Sequence, residues 1–128
     1  MFQTISIRSL HLEYQLWIRE LIFYKEEIKI FETHLEELVA RNSKTDVTSQ
    51  IEHFQNQFIR HKEVIDQLKH DLNISEKQLA AYAFSLSADS IEMVRLDNHS
   101  RLRDEMTTFR KIYKELKTSF RRFELTWM

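Results

Sequence analysis

The chain contains neither glycine nor proline in any of its 128 residues. At the average usage of about 7% glycine and about 5% proline, roughly fifteen such residues would be expected. Glycine opens tight turns and proline stops helices, so a chain without either favours long helices joined by few, simple connections. Hydrophobic residues make up 42% of the sequence and charged residues 30%. This balance is sufficient for a packed core beneath a polar surface.

Apolar side chains recur at alternating steps of three and four residues in three long segments. The positions in the first segment are Leu10, Tyr14, Trp17, Leu21, Tyr24, Ile28, Phe31, Leu35 and Leu38. Those in the second are Ile51, Phe54, Phe58, His61, Ile65, Leu68, Leu72, Ser75, Leu79, Tyr82 and Leu86. Those in the third are Leu102, Met106, Phe109, Tyr113, Leu116, Phe120, Phe123 and Trp127. This spacing is that of a coiled-coil seam, so each segment predicts one long helix.

Two polar, turn-prone segments separate the predicted helices, at residues 42–46 and 85–90. Ser49 and Glu52 have the spacing of a capping box and mark the start of the second helix, with Asp46 or Thr48 as alternative caps. The predicted helices span about 9–41, 48–85 and 89–127.

Connections of about four to six residues join only antiparallel neighbours. We therefore predict an all-α fold, a long antiparallel up-down-up three-helix bundle with coiled-coil-like heptad packing, forming a single domain over residues 1–128. Upstream of Leu102, the positions Ile91, Val94 and Asn98 follow one another at steps of four, which is a stutter in the heptad pattern. A helix break near Asn98, giving a fourth short helix, is the structural alternative.

A second apolar stripe lies on the first helix, roughly 125° around the helix axis from its seam. It consists of Leu12, Leu16, Phe23 and Ile30, and we refer to it as the α1 stripe. It lies beyond the usual flank of a bundle seam. The stripe either widens the contact with a neighbouring helix of the same chain or forms an interface with another subunit or partner helix. We favour the interface, because a long rod buries little of its surface.

The third helix has a basic face, which we call the basic stripe. It consists of Arg103, Arg110, Lys114, Lys117 and Arg121. Such a stripe has the character of a phosphate-binding surface. However, Glu13, Glu20 and Glu27 repeat every seven residues beside the first seam, and charges beside a seam usually pair across helices. With the first and third helices parallel, Glu20 and Glu27 are expected level with residues 103–114, so we favour charge pairing.

Four polar residues are predicted on the core side of the helices: His61, Ser75, Asn98 and Glu105. Isolated polar residues in a seam usually fix the register of the helices at some cost in stability. A small ligand or a buried water site is the alternative role.

The sequence has no metal-binding or catalytic motif. No histidine is preceded by an acidic residue three positions earlier, and no His-x-x-x-His pair occurs, so neither a di-iron nor a helical zinc site is predicted. Without glycine there is no phosphate-cradling loop and no nucleophile elbow. We expect no enzyme, no cofactor and no metal, and we interpret the histidines as surface or flanking residues.

The remaining composition narrows the class of protein. The net charge is −1, cysteine is absent, no apolar run approaches the about 18 residues of a membrane span, and the amino terminus does not resemble a signal peptide. We expect a cytoplasmic protein without a membrane partner. The predicted function is self-association, as a dimer, or binding to another helical protein. The alternative is a nucleic-acid-binding accessory protein that uses the basic stripe.

Overall fold

The computed structural model describes residues 7–41, 45–85 and 96–127. These residues form three α-helices: α1 (Ile7–Arg41), α2 (Thr45–Ser85) and α3 (Leu96–Trp127). The helices contain 35, 41 and 32 residues, and the described part of the chain contains no strand. The predicted all-α three-helix architecture is confirmed.

The helix boundaries differ in detail from those predicted. The second helix begins at Thr45 rather than near residue 48, so Ser49 and Glu52 lie inside it and do not form its cap. The third helix is continuous through Asn98, although the side chain of Asn98 and the residues 86–95 lie outside the described part of the structure. The pattern positions Leu86, Ile91 and Val94 therefore lie outside the described residues.

The predicted seams form the hydrophobic core. The buried apolar residues of α1 are Leu10, Tyr14, Trp17, Leu21, Ile28, Phe31, Leu35 and Leu38. Those of the other helices are Val47, Ile51, Phe54, Phe58, Ile65, Leu68, Leu72, Leu102, Met106, Phe109, Tyr113, Leu116, Phe120 and Phe123. Tyr24, Leu79 and Trp127 are partly buried against this core. One continuous core therefore joins all three helices.

Phenylalanine rings close one end of the bundle. Phe120 of α3 lies 5.2 Å from Phe31 of α1, 5.3 Å from Phe54 and 5.0 Å from Phe58 of α2, measured between ring centroids. Phe123 adds a further ring contact to Phe54 at 5.1 Å. These distances lie in the favourable range for aromatic pairs. Each helix therefore contributes at least one ring to the cluster.

Charged contacts between helices establish their directions. Lys25 Nζ of α1 donates to Asp66 Oδ1 of α2 at 2.7 Å. Lys62 Nζ, earlier in α2, donates to Glu32 Oε1, later in α1, at 3.0 Å. Residue numbers thus rise along α1 as they fall along α2, so the two helices are antiparallel. They pack closely along their length, whereas the described parts of α2 and α3 approach each other at fewer places.

Candidate interaction surfaces

A ladder of side-chain pairs joins α1 to α3, and in every rung the two partners are 90 positions apart. Its rungs are Glu13 with Arg103, Glu20 with Arg110, Glu27 with Lys117, and His34 with Glu124. Successive rungs are seven residues apart, which is the heptad period, so all four fall on the same flank of both helices. We call this set the charge ladder. A constant separation requires that α1 and α3 be parallel and in register.

Tyrosine hydroxyls support the two central rungs of the charge ladder. Tyr24 donates to Glu20 at 2.6 Å and Tyr113 donates to Glu27 at 2.7 Å, while the two tyrosine rings lie 4.6 Å apart. Burial and the hydrogen bond to Glu20 raise the pKa of Tyr24 to about 12. Burial opposes ionisation of the Glu20 carboxyl, yet the hydrogen bonds from Arg110 and Tyr24 outweigh burial and lower its pKa.

The charge ladder accounts for most of the basic stripe. Arg103, Arg110 and Lys117 pair with α1 carboxylates, and Arg121 Nη1 lies 3.2 Å from Glu124 Oε2 within α3. Lys114 is exposed. The expected pairing across helices is thus present, although Glu27 pairs with Lys117, about one helical turn beyond the level predicted from the sequence.

The α1 stripe is exposed along its whole length. Leu12, Leu16, Phe23 and Ile30 retain 58%, 57%, 57% and 55% of their accessible surface. The stripe lies on the outer face of α1 and therefore does not widen the internal core of the described chain. Single exposed apolar residues are normal on a protein surface, whereas these four lie on one face of the same helix and form a stripe.

His61 and Ser75 occupy the predicted seam positions, with 5% and 9% of their surfaces exposed. His61 Nδ1 lies 2.8 Å from the carbonyl oxygen of Gln57, to which it donates. The other ring nitrogen, Nε2, is buried without a hydrogen-bond partner among the described residues. Burial, aided by the positive charge of Arg60, lowers the pKa of His61. Burial therefore favours the neutral form of the ring, which contacts Phe109 and Tyr113 of α3.

Glu105, which is predicted on the core side of α3, is only partly buried. Its carboxylate accepts a hydrogen bond from Arg101 Nη1 at 3.1 Å within α3. Its position lies at the edge of the seam, where a long side chain reaches solvent and avoids the desolvation of a charge.

His99 is buried, contrary to the prediction that the histidines are surface or flanking residues. It is 2% exposed and lies three residues before Leu102, in phase with the α3 heptad. The imidazole stacks on Trp17, with 5.9 Å between ring centroids. Arg103 Nη2 lies 2.8 Å from His99 Nε2. Since a guanidinium only donates, Nε2 accepts this bond, and Nδ1 faces the Tyr14 hydroxyl at 3.3 Å.

Glu124 is a second buried polar residue that sequence reasoning missed. It is 4% exposed and contacts both His34 and Arg121. The heptad period beside the first seam, extended from Glu27 to His34, contained the signal for this contact. The acidic residues beside the first seam end at Glu27, so their pattern alone does not predict the fourth rung.

A groove of about 890 Å³ lies between α2 and α3, and we call it the α2–α3 groove. Val64 and Leu68 line it from α2, and Phe109 and Ile112 from α3. Charged and polar residues also line it: Arg60, Glu63, Gln67, Asp71, Arg101, Asp104, Glu105 and Thr108. None of its lining residues comes from α1. This groove is not among the sites predicted from the sequence.

The described ranges were compared with the requirements of a metal site and of a membrane-spanning helix. Within them, no group of three or more histidine or carboxylate side chains is placed to hold a metal ion. None of the described helices combines the length and the apolar character needed to cross a membrane. Comparison of the chain with protein-family models, with curated proteins and with solved structures gave no match.

Proposed function

We propose that this protein is a non-enzymatic assembly protein that self-associates through the α1 stripe. The observation that carries the proposal is the exposure of all four stripe residues, each between 55% and 58%. The stripe is about 27 Å long, since an α-helix rises about 1.5 Å per residue. Burying such a stripe against another apolar surface is favourable by about 25 cal/mol per Å² of apolar area.

A two-fold antiparallel pairing of α1 with the same helix of a second copy suits the stripe. Closed two-fold dimers are the commonest homo-oligomers. With the axis near residue 21, Leu12 lies opposite the partner's Ile30. The same arrangement brings Arg19 within about one helical turn of the partner's Glu26. Both charged residues are exposed on the stripe side of α1, so the surface is self-complementary in charge as well as in apolar contact.

The charge ladder weighs against nucleic-acid binding as the main function. Three of the five basic-stripe residues are already paired with α1 carboxylates and a fourth with Glu124. A phosphate backbone would have to compete with these partners for each cation. We therefore do not propose the nucleic-acid alternative. We place the assembly in the cytoplasm as part of the same proposal, because a chain without cysteine suits a reducing compartment.

Sedimentation velocity at micromolar concentration tests the proposal. The wild-type chain should sediment as a dimer, and Phe23→Asp should convert it to a monomer, because a carboxylate would be desolvated at the centre of the interface. The control is Ile22→Asp, at an adjacent and similarly exposed position, 43%, which points away from the stripe. It should leave the dimer intact. A wild-type chain that remains monomeric, or equal effects of the two variants, would contradict self-association through the stripe.

A further inference from the structure

We propose that the α2–α3 groove binds an amphipathic helix of a partner protein, with basic residues at the end of the groove formed by Asp71 and Asp104. This inference is independent of the α1 stripe, because α1 contributes no lining residue to the groove.

The shape of the groove suits a helix. On α2 it extends from Arg60 to Asp71 and on α3 from Arg101 to Ile112, which is about 17 Å, or three helical turns, on each wall. A helix lying in an apolar groove presents residues at i, i+3 or i+4, and i+7 to its floor. About 890 Å³ of space is available for these side chains.

The floor of the groove is apolar and only partly covered by the chain itself. Leu68 and Phe109 belong to the core, and Val64 is partly buried. Ile112 retains 46% of its surface although it lines the groove. A fourth helix packed here would complete the burial of this face and convert the local three-helix arrangement into a four-helix one.

The charges around the floor determine the chemistry of the partner. Arg60 lies 3.7 Å from Glu63 and Arg101 lies 3.1 Å from Glu105, so each arginine is offset by a carboxylate on its own helix. Asp71 and Asp104 form no ion pair with a cation of the described chain. Asp71 instead accepts a hydrogen bond from the neutral amide of Gln67 at 3.0 Å. The groove therefore carries two uncompensated negative charges.

These two aspartates lie near one end of the groove. Phe54 contacts Phe120 and His61 contacts Phe109, so α2 and α3 are antiparallel. Asp71 and Arg101 therefore lie at the same end of the groove, and Asp104 lies about one helical turn after Arg101. A partner helix is favoured here if it brings lysine or arginine, or its positively polarised N-terminus, to that end. The α1 stripe of a second copy is a poor complement, because its face carries one arginine and one glutamate, Arg19 and Glu26.

Synthetic peptides test this inference directly. The probe is a peptide of about 15 residues with leucines at heptad spacing and lysines near its N-terminus, and its control has glutamates in place of the lysines. Fluorescence anisotropy with the full chain should show binding of the lysine peptide, falling as salt rises, and about tenfold weaker binding of the glutamate peptide. Equal affinities for the two peptides, or no binding of the lysine peptide, would overturn the inference.

Variants of the protein locate the site. Ile112→Asp should weaken binding of the lysine peptide by about tenfold or more, because it places a charge on the apolar floor. Ile59→Asp on α2, at a position 50% exposed and outside the groove, should bind as the wild type does. The double variant Asp71→Lys with Asp104→Lys should reverse the preference and favour the glutamate peptide. Unchanged preference in that variant would overturn the proposed orientation and chemistry.

Sedimentation separates this inference from the proposed self-association. Ile112→Asp should leave the oligomeric state of the chain unchanged, whereas Phe23→Asp should leave peptide binding unchanged. If Ile112→Asp instead dissociated the assembly, the groove would be occupied by a second copy and the partner-helix inference would be wrong.

Discussion

Glu20 and Arg110 face each other across α1 and α3, with the guanidinium donating to both carboxylate oxygens; the Nη2 to Oε1 distance is 2.9 Å. The same separation of 90 positions recurs one heptad earlier, one heptad later and two heptads later. A shift of α3 by one residue along α1 would misalign all these pairs together. The seams of the two helices are apolar at nearly every position, so apolar contact alone favours no single register. The charge ladder therefore specifies the register and the parallel direction of α1 and α3.

We expect Glu20 and Arg110 to be energetically coupled. Each single substitution, Glu20→Gln or Arg110→Gln, should lower the free energy of unfolding. The loss in the double variant should be smaller than the sum of the two single losses. The expected coupling is about 1 kcal/mol, because the pair is bidentate and partly buried. Urea unfolding of the four proteins measures it. The more exposed pair Lys25 and Asp66 is the control, with an expected coupling of about 0.5 kcal/mol or less. Equal coupling in the two cycles would contradict the role assigned to the ladder.

The stability of the fold should decrease as the pH falls below about 6.5, which is the ordinary pKa of a histidine side chain. Burial lowers the pKa of both His61 and His99 in the folded chain. At a pH between the folded and unfolded pKa values, the unfolded state binds more protons, so protonation favours unfolding. The neutral histidines contribute fully to the free energy of unfolding at a pH above their pKa in the unfolded chain. This contribution is lost as the pH falls through their lower pKa in the folded chain.

His61→Leu should make this pH dependence shallower without abolishing it, since His99 remains. At neutral pH the variant should be as stable as the wild type or more stable by about 1 kcal/mol, because the buried Nε2 without a partner is removed. Thermal or urea unfolding between pH 5 and pH 8 measures both effects. An unchanged pH profile would mean that His61 becomes protonated as readily in the folded chain as in the unfolded one.

The phenylalanine cluster should contribute strongly to stability. Phe120 is fully buried and contacts rings on both other helices. Phe120→Ala should lower the free energy of unfolding by about 3–5 kcal/mol, as large-to-small substitutions in a core do. Leu125→Ala, five positions further along α3 at a residue 79% exposed, should change it by less than about 0.5 kcal/mol. A loss for Phe120→Ala as small as the one expected for Leu125→Ala would show that the C-terminal end of α3 is not part of the core.

The heptad pattern was sufficient to predict the helices and their buried faces, because burial in a long bundle follows helix periodicity directly. It did not predict His99. A step of four from Leu102 selects Asn98, whose side chain lies outside the described part of the structure, whereas a step of three selects His99, which is buried. A polar residue at the end of the pattern gave no reason to take the step of three as well. The stacking of the imidazole on Trp17 depends on a neighbouring helix, and one seam read in isolation does not contain that information.

The α2–α3 groove was not predictable for a related reason. Val64, Leu68, Phe109 and Ile112 belong to regular amphipathic patterns, and nothing in either pattern states how far apart the two helices lie. That distance is set by packing of the whole core. The exposure of the α1 stripe, in contrast, follows from its angle around one helix, so its position outside the core was predicted from the sequence.

The geometry of the proposed dimer yields a cross-linking prediction. If two copies of α1 pair antiparallel about an axis near residue 21, the two copies of position 19 lie about 6 Å apart along the helix direction. The chain has no natural cysteine, so Arg19→Cys introduces the only thiol. Mild oxidation should then give a disulfide-linked dimer on a non-reducing gel. The control is His70→Cys, at an exposed position of α2, which should remain monomeric on the gel. Cross-linking at position 70 without cross-linking at position 19 would place the interface on α2 and contradict pairing through the α1 stripe.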